Sequence, residues 1–268
     1  MKHDDFFRKH PVFTGKELAA HLSSLGEVGE RTQEVLLAYH RKTGRVILVR
    51  RGLYAVIPSG ANPDSYPVNP FLIATKLTPD AILSHHTALE FHGMAYSVHT
   101  HLTYSASHPL APLTFRAHVF RGTRFHQATL GLGKEHFGVS TAELSGQKLR
   151  VASLERTLVD VLDRPHLSGS WEEIWRSLES VEFFDLDKVV GYALLLRNAT
   201  TGAKVGFFLD QHRETLMVED RYLNALNDMR PKQPHYMSRS KRKPGQFVSK
   251  WNLVVPREVL ERSWEEAL

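Results

Sequence analysis

The sequence contains no cysteine among its 268 residues. That excludes a disulfide scaffold, a thiolate metal site and a cysteine nucleophile. No run approaches the ~18 consecutive apolar residues of a membrane-crossing helix, and the opening residues Met1 to Asp5 lack an apolar signal segment. These absences predict a cytoplasmic protein with no membrane partner. No serine stands in a Gly-x-Ser-x-Gly elbow, and the stretch from Gly131 to Lys134 lacks both P-loop spacing and its Ser/Thr. Internal repeats and low-complexity segments are missing too.

What is present is a modest basic excess, unevenly placed. The formal charge is +5. Residues 1–66 carry ten Lys/Arg against seven Asp/Glu, residues 67–200 twelve against thirteen, and residues 201–268 twelve against nine. Both ends are basic and the middle is neutral, a distribution that favours a polyanion as partner.

Pro58 to Pro70 hold four prolines and one glycine, a composition that neither a helix nor a central strand survives. This predicts a first domain at 1–60, a Pro-rich linker at 61–70 and a second domain at 71–268. The second mixes both structure types, so the fold class expected is α+β. Helices are expected at Phe71 to Leu77, Ser84 to His92, Ser153 to Asp163, Trp171 to Val181, Leu186 to Arg197 and Lys204 to Leu209. Strands are expected at His101 to Ala106, Thr114 to Arg121, Glu135 to Leu144, Gln147 to Ala152, His235 to Met237 and Phe247 to Pro256.

The stretch from Thr14 to Pro58 reads as a winged helix-turn-helix. Thr14 and Glu17 have capping-box spacing, Leu18, Ala19 and Leu22 form one apolar stripe, and Gly26 and Gly29 supply a turn. A second helix, Glu30 to Thr43, is expected to bury Thr32, Val35, Leu36 and Tyr39, to expose Gln33, Glu34, Leu37 and Arg41, and to end at Gly44. Two strands then fold about Arg51-Gly52. In such a unit the N-terminal residues of the second helix meet base edges. That selects Arg31, Thr32, Gln33 and Glu34, with arginine suited to guanine and glutamine to adenine. Lys16, Arg41, Arg45, Arg50 and Arg51 suit phosphate, and Arg51 also suits a minor groove. The plain alternative is a small helical domain used for protein contact.

Other constellations have plain structural readings. Gly169-Ser170 with Asp185 and Asp187 invites a nucleotidyltransferase reading, but Asp187 sits where the next helix wants its cap. His85, His86 and His92 share a predicted helix, yet His85 and His92 are ~10 Å apart along its axis, too far for one metal ion. Arg156, Asp160 and Arg164 read as an i, i+4 ladder on a solvated helix face. These residues assign no catalytic group, no metal and no cofactor. The densest basic cluster, Arg239, Lys241, Arg242 and Lys243, is expected at a hairpin tip, as a second nucleic-acid patch or as a solvated turn.

Four segments together resemble the AbiEi-type antitoxins of type IV toxin–antitoxin systems. They are Arg50 to Pro58 (RRGLYAVIP), Ile82 to Gly93 (ILSHHTALEFHG), Val151 to Pro165 (VASLERTLVDVLDRP) and Lys250 to Pro256 (KWNLVVP). The resemblance implies an N-terminal winged helix that represses its own operon at inverted repeats in duplex DNA. It implies a C-terminal domain that counteracts a nucleotidyltransferase-like toxin without forming a stable complex with it. Two other readings stay open: a winged-helix regulator that senses a small ligand, and an enzyme tethered to DNA.

Overall fold

Capping and aromatic packing shape the first sixty residues. The computed structural model describes residues 3–27, 29–238, 245–262 and 264. Helix α1 (Asp4–Lys9) leads into strand β1 (Val12–Thr14), helices α2 (Gly15–Ser24) and α3 (Glu30–Lys42), and strands β2 (Val46–Arg50) and β3 (Leu53–Val56). The Thr14 amide donates to the Glu17 carboxylate at 2.6 Å, and Thr14 Oγ1 accepts from the Glu17 amide at 3.2 Å, completing the box. Gly26 and Gly44 take positive φ, as a turn and a helix end require. Strand order is β1-β3-β2, antiparallel throughout. Phe6, Phe7, Phe13, Leu18, Leu22, Leu37 and Val46 fill the space between helices and sheet.

Residues 58–69 form neither helix nor strand. Arg116 nevertheless ties this segment down, donating to the Pro63 carbonyl at 2.6 Å. Beyond it run α4 (Pro70–Thr75), β4 (Ile82–Leu83), α5 (His86–Phe91), β5 (His101–Ala106), β6 (Leu113–Phe115), β7 (His118–Arg124), α6 (Gln127–Gly131), β8 (Val139–Leu144) and β9 (Gln147–Ala152). The six strands make one mixed sheet in the order β6-β7-β5-β4-β9-β8. The first unit is not a separate body. Val12, Val49, Leu53 and Ala55 belong to the same buried cluster as Leu72, Leu77, Tyr104, Phe120 and Leu149. One face of the β2–β3 hairpin is thus packed against α4 and the sheet, and an ion pair from Lys76 to Glu17 crosses the same junction.

A helical layer follows: α7 (Leu154–Asp163), α8 (Trp171–Glu179), α9 (Leu186–Leu195), α10 (Ala199–Gln211) and α11 (Asp220–Asp228). Its core is continuous with a small sheet of β10 (His235–Tyr236), β11 (Gly245–Val248) and β12 (Leu253–Pro256), and with α12 (Arg257–Glu261). The architecture is mixed α/β with strands and helices largely segregated, compatible with α+β. No helix of the described residues is long and apolar enough to cross a membrane.

Three expectations about strands and one about a helix are corrected. Thr114 to Arg121 is not one strand but the hairpin β6–β7, turned at Arg116 with φ 54°. Phe247 to Pro256 is broken by a 3-10 turn at Ser249–Trp251 and by Asn252 with φ 48°. In both, a non-glycine residue in left-handed conformation makes the reversal, so alternation alone does not announce it. β10 does not form a hairpin with β11, because β12 lies between them. The cluster of Arg239, Lys241, Arg242 and Lys243 lies outside the described residues. α10 extends well beyond Lys204 to Leu209, because the Asn198 side chain caps it at Thr200 and Thr201.

Gly206 of α10 faces the fully buried indole of Trp251, and a Cβ there would stand 2.2 Å from a ring carbon. The indole Nε1–H donates to Asp210 at 3.2 Å, so the ring has no alternative seat. Gly206→Ala is expected to cost about 3 kcal/mol through overpacking. The check is urea denaturation: the midpoint should fall at unchanged slope. An unchanged midpoint would mean that the ring has room to move.

Candidate nucleic-acid interface

The surface of α3 is set by which of its residues find room inside. Leu37 and His40 are buried, Leu36 and Gln33 half-buried, while Val35 and Tyr39 are 63% and 56% exposed. The expected phase, with Thr32, Val35 and Tyr39 inward and Leu37 outward, is therefore corrected by about one residue. Leu36 and Leu37 are adjacent, so the pattern permits either phase. His40 decides it: its ring packs edge-on against Phe7 at 4.8 Å, and burial, then the Arg45 charge, push its pKa down. The His40 imidazole takes the inward place that was expected of its neighbour Tyr39.

The consequence for recognition is direct. Arg31, Thr32 and Glu34 are exposed on the first turns of α3, alongside Val35 and Tyr39. Gln33 turns inward instead, and its Nε2 donates to the Gly15 carbonyl at 2.8 Å, locking α3 onto α2. Gln33 is thus a positioning residue for the two helices, not an adenine reader in this arrangement. Arg41 is exposed at the far end of the helix. Arg45 is engaged within the protein: it pairs with Asp4 at 2.5 Å and its guanidinium lies 4.9 Å from the Phe7 ring centre. It is not a free phosphate contact.

Lys16, Arg50 and Arg51 converge on a cleft of about 1250 Å³ between the first unit and the six-stranded sheet. Gly15 N–H donates to the Gly52 carbonyl at 2.9 Å, so the start of α2 and the hairpin tip are held together at the cleft's edge. The opposite wall brings Lys76, Lys148 and Arg150. Sequence reasoning missed these three. The signal for Lys148 and Arg150 was present as alternation along β9, where Gln147 and Leu149 are buried while Lys148 is exposed and Arg150 half-buried.

The remaining constellations are built into the framework. Ser170 caps α8 and Asp185, rather than Asp187, caps α9, so the two aspartates stand at a helix start and not on one strand. His85 precedes its helix at φ 55° with Nδ1 3.0 Å from Ser84 Oγ, and His92 Nε2 lies 2.8 Å from the Ala152 carbonyl. Arg156 and Asp160 are not on a solvated face: they are buried, 3.3 Å apart. α7 is enclosed on nearly all sides, which spacing along one helix does not reveal. His86 lies between Glu90 and Glu173 at 3.0 and 2.9 Å, stacked on His99. Although ligand atoms of His86, Glu90 and His99 lie within 4.8 Å of one another, the two rings are 6° from parallel at 3.6 Å. Their in-plane lone pairs do not converge on one ion.

No protein-family model matches the sequence, and no curated protein matches it. Among solved structures the chain is similar to the crystal structure of the RV2827C protein from Mycobacterium tuberculosis. The TM-score is 0.59 at 16% identity, over 98% of this chain and 92% of that one. The likeness spans both units and is a likeness of fold.

Proposed function

We propose that the first unit is a winged helix-turn-helix that holds duplex DNA, and that the protein is the antitoxin and autorepressor of a type IV toxin–antitoxin operon. The observation that carries the DNA reading is the outward face of α3. It presents Arg31, Thr32 and Glu34, each exposed and with no side-chain hydrogen bond or ion pair among the described residues, a few residues from the helix start. Side chains there reach base edges when such a helix enters a major groove. Val35 beside them offers an apolar contact for a thymine methyl.

The antitoxin half rests on the resemblance of four segments, and the fold gives each a framework role. Arg50 to Pro58 is the second strand of the hairpin with its tip. Ile82 to Gly93 is β4 and α5. Val151 to Pro165 is the end of β9 and all of α7. Lys250 to Pro256 carries the buried Trp251 and β12. A nucleotidyltransferase-like toxin would be the functional partner, without a stable complex.

The test is a mobility shift on the ~200 bp upstream of the gene, against scrambled DNA, at ~50 and ~200 mM salt. Arg31→Ala is expected to weaken specific binding by about 1–3 kcal/mol, roughly five- to 160-fold, and to relax preference at one base pair. Equal binding to scrambled DNA by the wild type would remove specific readout. Failure to rescue growth on co-expression with a growth-arresting nucleotidyltransferase-like toxin encoded in the same operon would remove the antitoxin role.

A further inference from the structure

The basic cleft is larger than the winged-helix reading needs, and half of its charge belongs to the other unit. Six cations line it, Lys16, Arg50, Arg51, Lys76, Lys148 and Arg150, against the two carboxylates Glu17 and Glu30. The difference, six minus two, is +4, in a chain whose whole formal charge is +5. Glu17 is already taken by Lys76 and by the capping box. Among the described residues, Lys16, Arg50, Arg51 and Lys148 have no ion pair and no side-chain hydrogen bond, while Arg150 gives one Nη2–H to the Pro79 carbonyl and keeps its other donors for an anion. Gathering unpaired like charges in a concave surface raises the energy of the folded chain unless an anion visits it.

We propose that this cleft is a phosphate-binding groove in which Lys148 and Arg150 of β9 hold the backbone of the same DNA duplex that the first unit engages. The inference rests on the DNA reading and extends the interface to the six-stranded sheet. Glu30, the first residue of α3, lines the cleft, so the groove opens at the start of the helix that would read bases. Lys16, Arg51 and Lys148 are exposed, from two units, along its rim. That spread suits successive phosphates of a polymer better than one small anion. Leu53, Leu77 and Leu149 lie in one buried cluster beneath it, so the backbones that carry the two sets of cations are joined through one core. A shared core limits the hinge freedom that binding would otherwise remove.

The experiment is fluorescence anisotropy of the full chain on its upstream DNA across ~50–200 mM salt, with wild type, Lys148→Ala and Lys148→Ala/Arg150→Ala. Each phosphate contact contributes about 0.9 to the slope of log affinity against log salt. The double variant is expected to lose about 1.8 from that slope and, near ~0.1 M salt, roughly sixtyfold in affinity, equally on every DNA sequence. Lys148→Ala, at an exposed position, is expected to lose half of the slope change, and thermal melts verify that both variants fold. A wild type that binds DNA while both variants keep its affinity and slope overturns the proposal and leaves the winged-helix reading standing. A wild type that binds no DNA at low salt removes both. Stoichiometric binding of free inorganic triphosphate that Lys148→Ala abolishes, with an unchanged DNA slope, would reassign the cleft to a small anion and overturn the proposal as well.

Discussion

Replacing Arg156 with methionine is expected to lower the stability of the protein by about 3–5 kcal/mol, because it removes one member of a buried, hydrogen-bonded ion pair and leaves the other. Arg156 is 2% exposed. Its Nε donates to Asp160 at 3.3 Å, and its Nη1 donates to the carbonyls of Glu135 and Phe137 at 2.6 and 2.9 Å. Burial by itself would pull the guanidinium pKa down, but the charge and hydrogen bond of Asp160 and the contact with Tyr192 together outweigh it and hold the group ionised. Tyr192 completes the set, donating to Asp160 at 2.9 Å, with its own pKa pushed well up by burial and by that carboxylate. Methionine fills a similar volume but satisfies none of these acceptors. A thermal melt should show the transition lowered by roughly 10 °C. The double variant Arg156→Met/Asp160→Leu tests the cause: it should recover part of the loss, since no unpaired charge then remains buried. Equal loss in single and double variants would assign the cost to packing rather than to charge.

That pair also marks where sequence reasoning stops. Local devices were legible: the Thr14/Glu17 box, the positive φ at Gly44, and the helices of Ser153 to Asp163, Trp171 to Val181 and Leu186 to Arg197, each found within two residues. Their causes lie within a few residues of one another along the chain. Arg156 and Asp160 at i, i+4 look the same whether water or a loop lies over them. The loop that covers them, 135–138, is brought there by Gly138, at φ 62° and with no room for a Cβ against Arg156. The phase of α3 failed for a related reason, since it is Phe7 from α1 that receives His40. The cleft was half legible: Lys16, Arg50 and Arg51 were in view, but their neighbours Lys148 and Arg150 come from a strand nearly a hundred residues away. No local pattern joins the two walls; burial of one hairpin face against the sheet does.

Removal of His86 should cost about as much, and its dependence on pH has a definite sign. The imidazole is 1% exposed, with Nε2 2.9 Å from Glu173 Oε1 and Nδ1 3.0 Å from Glu90 Oε1. The second contact lies off the line a hydrogen bond needs, so it acts as a close charge contact. The carboxylates hold more than this ring. Glu90 accepts the His99 amide at 2.6 Å, and Glu173 accepts the amide and hydroxyl of Ser97 at 3.0 and 2.6 Å. His86 thus sits beneath a loop that two acidic side chains pin down, in contact with both of them. His86→Ala leaves both carboxylates facing each other without it, and a loss of about 3–5 kcal/mol is expected. Burial lowers the His86 pKa, but the contacts with Glu90 and Glu173 outweigh burial, and the folded value lies above the ordinary 6.5. The stability it contributes is therefore complete below pH 6.5 and is lost as pH rises through the folded pKa. His85 acts in the opposite sense: burial holds its folded pKa at about 4, so its contribution is present above pH 6.5 and is lost as pH falls toward about 4. That shift corresponds to about 3 kcal/mol. Urea midpoints of wild type, His86→Ala and His85→Asn between pH 4 and 9 separate the two. The alkaline decline should vanish in His86→Ala and the acid decline should shrink in His85→Asn. A wild-type alkaline limb that persists unchanged in His86→Ala would show that His86 is neutral in the fold.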